Sequence, residues 1–326
     1  MHVLITGGGG FLGRLLARRL AETGGAEVDG EARPISRLTL IDLAEPKAPE
    51  AAGIEVHTVA SDLSAPGAAA ETLEEPADLI FHFAAVVSAG AEADLDLGLR
   101  VNLHATEALL RAAAAQGNAP VLVFASSAAV FSSHRGAPID DRTEPRPLSS
   151  YGAQKVIGEL LVRDFSRRGL IRGRSLRFPT ISVRPGKPNK AASGFASSIL
   201  REPLKGEPAV LPVPEATRMH LMSPDRAIDS AVHAAALPQA VLGTETTLTL
   251  PGVSASATEM LDALEAHAGP EARALVRREP DAAIEAIVST WPGAVAAPRA
   301  EKLGFSADRD FAEILAKSLP HLAAWE

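Results

Sequence analysis

The sequence predicts an α/β protein in which a doubly wound parallel sheet is followed by a smaller C-terminal domain. In the first half of the chain, short apolar runs typical of buried strands alternate with helix-like segments. Four consecutive glycines, residues 7–10, stand between the first such run and the first helix. Beyond residue 179 the alternation gives way to segments rich in Pro, Gly and charge, which predicts a change of architecture there.

The first strand and helix enclose a glycine-rich turn. "HVLIT" (2–6) predicts a buried strand, and "LGRLLARRLAE" (12–22) predicts an amphipathic helix. Bare glycines let a pyrophosphate approach the free amides and the positive dipole end at a helix N-terminus. The alternative is a flexible loop, but the order of strand, glycines and helix favours a dinucleotide site. Two registers fit the spacing: Gly8-x-Gly10-x-x-Gly13 and Gly7-x-x-Gly10-x-x-Gly13.

The second strand, "RLTLIDL" (37–43), carries a carboxylate near its end, at Asp42. A carboxylate there accepts hydrogen bonds from the adenosine ribose and repels a 2′-phosphate, so we expect NAD rather than NADP. Asp42 comes 29 residues after Gly13, farther than the usual ~20. The polar stretch 26–36 accounts for the excess as an inserted loop.

The rest of the chain sets the predicted domain boundaries. Further strands are predicted at 78–85, 120–131 and 174–183, and further helices at 97–117 and 223–237. We therefore predict a dinucleotide-binding domain and a substrate domain. The first comprises residues 1–178 with 222–248 returning to it, and the second comprises 179–221 and 249–326.

Tyr151 is the only tyrosine in the chain, and Lys155 follows it by four residues. This spacing predicts one helical face for both side chains. A nearby ammonium lowers the pKa of a phenol from ~10, which makes the tyrosine a usable general base. Upstream, Ser126 and Ser127 end a predicted strand, where a hydroxyl can hold the substrate oxygen while its proton leaves.

Composition excludes several classes of protein. The net charge of −8 does not suggest a nucleic acid or an anionic membrane surface as partner. No cysteine is present, so disulfides, thiolate catalysis and cysteine zinc sites are excluded, and the histidines show no metal-ligand spacing. Without a signal-peptide pattern or an apolar run of ~20 residues, we expect a cytoplasmic protein without metal or membrane span.

Together these motifs resemble the extended short-chain dehydrogenases/reductases, a family that includes nucleotide-sugar epimerases and dehydratases. The resemblance runs through nearly the whole chain and implies a Rossmann-type fold. It implies a homodimer that pairs through two helices, here about 97–117 and 150–168. The matching pieces are "TGGGGFLG", "LIDL", "SDL" (61–63), "HFAA" (82–85), "VNLHAT" (101–106), "ASSAAVF" and "YGAQK".

The resemblance also implies roles for individual residues. The catalytic group would be Ser127, Tyr151 and Lys155, with Tyr151 and Lys155 also contacting the cofactor and Lys155 holding the nicotinamide ribose. The implied cofactor-binding residues are Gly7, Gly10, Phe11, Leu12 and Gly13 at the pyrophosphate, Asp42 at the adenosine ribose, Asp62 and Leu63 beside the adenine, Ala84 and Ala85 along the cofactor, Asn102 as a support, and Pro179 near the carboxamide.

Departures from the family narrow the substrate. Ala128 and Ala129 stand where dehydratases carry the acids that eliminate water, and Thr180 stands where epimerases carry an asparagine. Segments such as "RFPTISVRPGKPNKAAS" instead resemble a branch that oxidises the 2-hydroxyl of the four-carbon sugar acid D-erythronate. The residues expected to bind the substrate are Ser127, Thr180, Arg184, Asn189, Lys190 and Arg218, with Lys187 adding positive charge for a carboxylate.

We therefore expect an NAD-dependent dehydrogenase that converts D-erythronate to 2-dehydro-D-erythronate. Tyr151 would take the hydroxyl proton, and hydride would pass to the nicotinamide. One alternative is a nucleotide-sugar epimerase, which would use the same residues with tightly bound NAD. The other is a non-catalytic NAD-binding module, which predicts loss of the Ser, Tyr or Lys, whereas all three are present.

Overall fold

The computed structural model describes residues 1–132, 139–186 and 192–324. Its strands are β1 (His2–Thr6), β2 (Gly25–Val28), β3 (Glu31–Pro34), β4 (Arg37–Asp42), β5 (Glu55–Ala60), β6 (Leu79–His82), β7 (Val121–Ser127), β8 (Arg172–Phe178), β9 (Thr180–Ile181), β10 (Ala209–Leu211), β11 (Arg218–Met222), β12 (Thr247–Thr249), β13 (Val253–Ser256) and β14 (Val276–Arg278).

The helices lie between and after these strands along the chain. They are α1 (Phe11–Thr23), α2 (Ala68–Thr72), α3 (Ser88–Ala93), α4 (Leu95–Gly98), α5 (Ala105–Ala115), α6 (Ser150–Arg167), α7 (Phe195–Leu204), α8 (Pro224–Ala236), α9 (Gln239–Leu242), α10 (Ala257–Ala268), α11 (Pro270–Ala274), α12 (Ala282–Val288), α13 (Pro298–Lys302) and α14 (Phe311–Ala324).

Seven parallel strands form the central sheet, in the order β12-β8-β7-β6-β1-β4-β5. From β1 the chain builds outward through β4 and β5 on one side, and then through β6, β7, β8 and β12 on the other. The strand order therefore reverses at β1 and β6, and such a reversal opens a crevice at the carboxyl ends of the strands. The predicted doubly wound parallel sheet is confirmed.

The segment 26–36, which the sequence predicts as a loop, is largely a β-hairpin formed by β2 and β3. Asp29 and Gly30 make its turn with φ of 53° and 84°, which is the backbone that an Asp-Gly pair favours in a two-residue hairpin. Asp29 accepts hydrogen bonds from Arg172 and from the fully buried Arg174 of β8. The hairpin is therefore fixed to the sheet.

Two other predicted elements are interrupted. The helix predicted at 97–117 consists of α4, a wider π-helical turn (Leu99–His104) and α5. The strand predicted at 120–131 ends at Ser127, and a 3₁₀ turn follows at Ala128–Phe131. Ala128 and Ala129 of this 3₁₀ turn border the cavity described below.

Two large hydrophobic clusters pack the central sheet and the later part of the chain. The first joins one face of the sheet to α1 and α8, and the second is built from residues between Val183 and Leu322. From the predicted substrate domain, Ala297, Ala300 and Phe305 pack in the first cluster. The division into 1–178 with 222–248, and 179–221 with 249–326, stays a prediction.

Within the described ranges, no helix has the length and apolar character needed to cross a membrane. Within the same ranges, no cluster of three or more His, Asp or Glu side chains could hold a metal ion.

Candidate active site

The turn between β1 and α1 depends on glycines at two positions. A Cβ atom at Gly13 would overlap the carbonyl oxygen of Gly7. A Cβ atom at Gly7, whose φ is +72°, would lie 2.7 Å from the amide nitrogen of Ala84 in the loop after β6. Gly10 precedes α1, and no side chain caps that helix. The turn is therefore packed too tightly for side chains, and it leaves a backbone surface at the helix N-terminus.

Asp42 closes β4 next to this turn. Its Oδ2 accepts a hydrogen bond from the Gly9 amide at 3.0 Å, and its Oδ1 accepts one from the Leu43 amide at 2.8 Å. Both oxygens keep further acceptor capacity, because a carboxylate oxygen has two lone pairs. Asp62, by contrast, is exposed, and hydrogen bonds from Ser64 lower the pKa of its carboxyl group.

The neighbouring Leu63 is buried in a hydrophobic cluster on the face of the sheet opposite α1 and α8.

Asn102 lies in the π-helical turn and supports the loop that follows β6. Its Oδ1 accepts from the Val86 amide at 2.8 Å, and its Nδ2 donates to the Val86 carbonyl at 3.0 Å and to Gln154 Oε1 at 2.7 Å. This loop carries Ala84 and Ala85.

Helix α6 presents Tyr151 and Lys155 on one face, as their spacing predicts. Lys155 Nζ lies 5.5 Å from the centroid of the Tyr151 ring and 4.7 Å from that of Phe124. Ser127, the last residue of β7, accepts a hydrogen bond from the Ala129 amide at 3.1 Å. These three candidate catalytic side chains border one cavity of about 450 Å³.

The electrostatics of this group differ from the sequence prediction. Burial raises the pKa of Tyr151 to about 12, although Ser127 and the charge of Arg184 act in the opposite direction. Burial also lowers the pKa of Lys155 to about 8, and the charge of Glu159 opposes that shift. The direction of the Tyr151 pKa shift is opposite to the one expected from the Tyr–Lys spacing, because desolvation of the phenolate outweighs the hydrogen bond with Ser127 and the charge of Arg184.

On the far side of the cavity lie Pro179, Thr180 and Arg184. Burial and the neighbouring Arg201 lower the pKa of Arg184, and Tyr151 opposes this. In the parts of the chain that the structure describes, no carboxylate forms an ion pair with Arg184. Arg201 also borders the cavity, but its guanidinium pairs with Glu202 at 2.5 Å.

Arg218 does not belong to the cavity wall. Its guanidinium donates to Ser254 Oγ at 3.0 Å and to the Ser254 carbonyl at 2.8 Å, and it lies 3.2 Å from Glu259. Arg218, predicted as a substrate residue, does not border the cavity, because its guanidinium is held at the start of β11 by Ser254 and Glu259. Lys187, Asn189 and Lys190 lie outside the described residues.

Arg201, His220 and Trp291 are among the cavity-lining side chains that the sequence does not predict. His220 is buried on β11, where its Nε2 lies 3.3 Å from the Leu250 carbonyl, and burial lowers its pKa to about 4. None of the three stands in a recognisable motif. No local pattern marks His220 as buried, because alternation in "RMHLM" groups it with the exposed Arg218 and not with Met219 and Leu221.

This cavity fits the pyrophosphate and nicotinamide part of a dinucleotide, whereas Asp42, Asp62, Leu63, Ala84 and Asn102 do not border it. At one end it is bordered by Gly7, Gly10, Phe11, Leu12 and Gly13, and it extends past Ala85 to Ser127, Tyr151 and Lys155. Gly8 does not border it, so the register Gly7-x-x-Gly10-x-x-Gly13 describes its wall. A pyrophosphate at the helix N-terminus would direct a nicotinamide toward the tyrosine, as the Rossmann arrangement requires.

The fold and this cavity together define a nicotinamide-dependent enzyme of the extended short-chain dehydrogenase/reductase type. The sequence profile of the NAD dependent epimerase/dehydratase family matches residues 3–241, and the chain belongs to that family. The resemblance stated from the motifs is thereby confirmed.

Relatives match the chain over nearly its whole length. It is 47% identical over 315 residues to the D-erythronate dehydrogenase of Cupriavidus necator, covering 97% of each chain. It is 40% identical to the D-erythronate dehydrogenase of Haemophilus influenzae, covering 97% of this chain and 98% of that one. A crystal structure of a nucleoside-diphosphate-sugar epimerase from Agrobacterium tumefaciens superposes with a TM-score of 0.93 at 43% identity, over 100% of this chain and 95% of that one.

Proposed function

We propose that the protein oxidises the 2-hydroxyl group of D-erythronate to 2-dehydro-D-erythronate, with NAD as the hydride acceptor. The observation that carries the proposal is the Arg184 side chain. It borders the same cavity as Tyr151, and no carboxylate in the described residues pairs with it. The two D-erythronate dehydrogenases that match nearly the whole chain support the same substrate class.

A 2-hydroxy acid fits this arrangement because its carboxylate and its reacting hydroxyl lie on adjacent carbons. A guanidinium holds a carboxylate through two parallel hydrogen bonds, which fixes the orientation of the bound acid. Arg184 and Tyr151 lie close enough for the charge of Arg184 to act on the pKa of the phenol. A carboxylate on Arg184 would therefore bring the 2-hydroxyl toward Tyr151 and Ser127.

Each catalytic side chain then has a separate task. Tyr151 must first lose its own proton; its phenolate oxygen then accepts the proton of the 2-hydroxyl, and Ser127 Oγ forms a hydrogen bond with the same substrate oxygen. Lys155 supplies a buried positive charge beside the phenol. The nicotinamide, when bound, supplies the acceptor for the hydride that leaves C2.

Asp42 supports NAD over NADP in this proposal. Its carboxylate is oriented by the Gly9 and Leu43 amides at the edge of the glycine turn. Its remaining lone pairs suit the two ribose hydroxyls, and its charge would repel a 2′-phosphate. The test is kcat/KM with both cofactors, and a preference of the wild type for NADP would overturn this assignment.

The substrate proposal is tested by following cofactor reduction with a small panel of compounds. We expect rapid reduction of NAD with D-erythronate and little with erythritol, the neutral polyol of the same length. Equal rates with D-erythronate and erythritol would overturn the proposal that the enzyme recognises the carboxylate of its substrate. Interconversion of a UDP-sugar without net reduction of NAD would identify an epimerase instead.

We further propose a homodimer that pairs through the helices at about 97–117 and 150–168, which correspond to α4 with α5 and to α6. Leu95 and Leu160 are 55% and 58% exposed on these helices, and Ile157 of α6 is 39% exposed. Exposed apolar side chains of this size on adjacent helices suit an interface between two copies. Light scattering should give twice the chain mass, and Leu160→Glu should give the monomer. The cytoplasmic location stays a prediction.

A further inference from the structure

Below the candidate catalytic group, α6 carries a buried carboxylate that the proposed reaction does not use. Glu159 is 4% exposed and has hydrogen-bond donors on both oxygens. Ser126 Oγ donates to Oε1 at 2.5 Å. Arg177 donates through Nε to Oε1 at 2.9 Å and through a terminal nitrogen to Oε2 at 2.7 Å. This is the fork-to-carboxylate geometry that makes such pairs strong and directional.

The partners of Glu159 come from the two strands whose ends border the cavity. Ser126 immediately precedes Ser127 in β7. Arg177 stands opposite Ser126 in the β7–β8 pairing, two residues before Pro179. Glu159 therefore ties the ends of both strands to the helix that carries Tyr151 and Lys155.

Glu159 also lies one helical turn beyond Lys155, at the spacing where two side chains of a helix are neighbours. Lys155 is only 2% exposed, so its ammonium needs a compensating charge. Among the described residues, Tyr151 on the same helix and His82 on β6 also lie near Lys155. Burial and the charge of Lys155 lower the pKa of His82 to about 3, so this imidazole is neutral. Glu159 is the acid that favours the charged form of Lys155.

We propose that Glu159 is a positioning residue of the active site, which fixes Ser127 through Ser126 and keeps Lys155 in its ammonium form. The inference rests on the roles proposed above for Ser127, Tyr151 and Lys155. Arg177 completes the arrangement by holding the carboxylate in one orientation and by balancing part of its charge, which lowers the cost of burying it.

Two substitutions separate the negative charge of Glu159 from its hydrogen bond with Ser126. Glu159→Gln keeps the size of the side chain and removes the charge. Ser126→Ala keeps the charge and removes the connection to the strand end. Glu159→Asp is a third variant that retains the charge on a shorter side chain, in case the Gln variant does not fold. Glu245→Gln is the matched control, because it breaks an exposed ion pair with Arg163 on the same helix.

The first readout is the titration of Lys155 in the full chain, followed by NMR of ¹³C-labelled lysine. The Lys155 signal is identified by its absence in Lys155→Arg. We expect Lys155 to titrate at a lower pH in Glu159→Gln than in the wild type, and at the wild-type pH in Ser126→Ala, Glu159→Asp and the control. A merely loosened site would admit water and move the titration upward, toward ~10.5. An unchanged or upward titration in Glu159→Gln overturns the charge role.

The second readout is turnover of D-erythronate. We expect Ser126→Ala to lower kcat by about 10- to 100-fold with KM for NAD nearly unchanged, since a displaced catalytic hydroxyl affects chemistry more than cofactor binding. Wild-type kcat in Ser126→Ala overturns the positioning role. If the wild type does not oxidise D-erythronate at all, the proposed function fails, whereas the lysine titration still tests the inference.

Discussion

The cavity has two walls that are built in different ways. The wall beside β1 comes from one contiguous segment, residues 7–13, in which glycine backbone lies beside Phe11 and Leu12, and the loop after β6 packs against it. The opposite wall is made of side chains, among them Arg184, His220 and Trp291, which come from separate segments. A dinucleotide common to many enzymes needs free amides and an absence of side chains, whereas a particular substrate needs particular side chains.

Tyr151 stands between the two walls, so its removal should produce the largest effect. Tyr151→Phe keeps the ring and Lys155 but removes the group that accepts the proton. We expect kcat to fall by about 10²- to 10⁴-fold, the usual contribution of a general base. NAD affinity, measured by fluorescence titration, should stay within about twofold of the wild type. Turnover close to that of the wild type would remove Tyr151 from the mechanism.

The same residue gives a direct test of how burial acts on the site. Because Tyr151 is the only tyrosine, absorbance of phenolate in the ultraviolet reports this side chain alone. With its pKa raised to about 12, the free protein should contain almost no phenolate at pH 10, where an unperturbed tyrosine is half ionised. Tyr151→Phe supplies the baseline. A midpoint near or below 10 in the folded protein would restore the simpler view that Lys155 controls this phenol.

The difference between the walls also explains what the sequence could predict. The glycine turn, the acid after β4 and the Tyr-x-x-x-Lys pair are local patterns, and local geometry alone brings their members together. Arg201 and Trp291 reach the cavity only through the packing of α7 and the later helices, which no single segment encodes. Arg218 is predicted from a cluster of basic residues, but its guanidinium is bound by Ser254 and Glu259 outside the cavity. The β2–β3 hairpin had a local signal, Asp29-Gly30, that the sequence analysis did not use.

Gly13→Ala disrupts the backbone wall. The added methyl group would overlap the Gly7 carbonyl, so the turn or α1 must shift at a cost of roughly 1–3 kcal/mol. If that cost falls on cofactor binding, kcat/KM for NAD drops by about 5- to 150-fold. The same assay at saturating NAD should show a smaller loss in kcat. Thermal unfolding of the same variant distinguishes a displaced glycine turn from a protein that is destabilised as a whole. An unaltered kcat/KM for NAD would contradict the close contact between Gly13 and the Gly7 carbonyl.

Arg184→Lys disrupts the side-chain wall while keeping its charge. Lysine offers a point charge instead of a two-pronged donor, so the orientation of the carboxylate is lost. A charge-assisted hydrogen bond is worth about 1.5–3 kcal/mol, and because the charge remains we expect the lower end, about tenfold in kcat/KM for D-erythronate. The rate with erythritol, which has no carboxylate, should not change. An equal loss with both compounds would show that Arg184 shapes the site without binding the acid.

Arg218→Lys should have the smallest effect, and it completes the comparison because the sequence predicts both Arg218 and Arg184 as substrate-binding residues. Arg218 lies outside both walls, and its guanidinium is already occupied by Ser254 and Glu259. Exposed ion pairs of this kind contribute about 0–1 kcal/mol to stability, so the fold should tolerate the change. We expect kcat/KM for D-erythronate to stay within about twofold of the wild type, measured in parallel with Arg184→Lys. A selective loss for the acid in Arg218→Lys, with Arg184→Lys unaffected, would move the anchor to Arg218 and would require β11 to turn that side chain inward when the substrate binds.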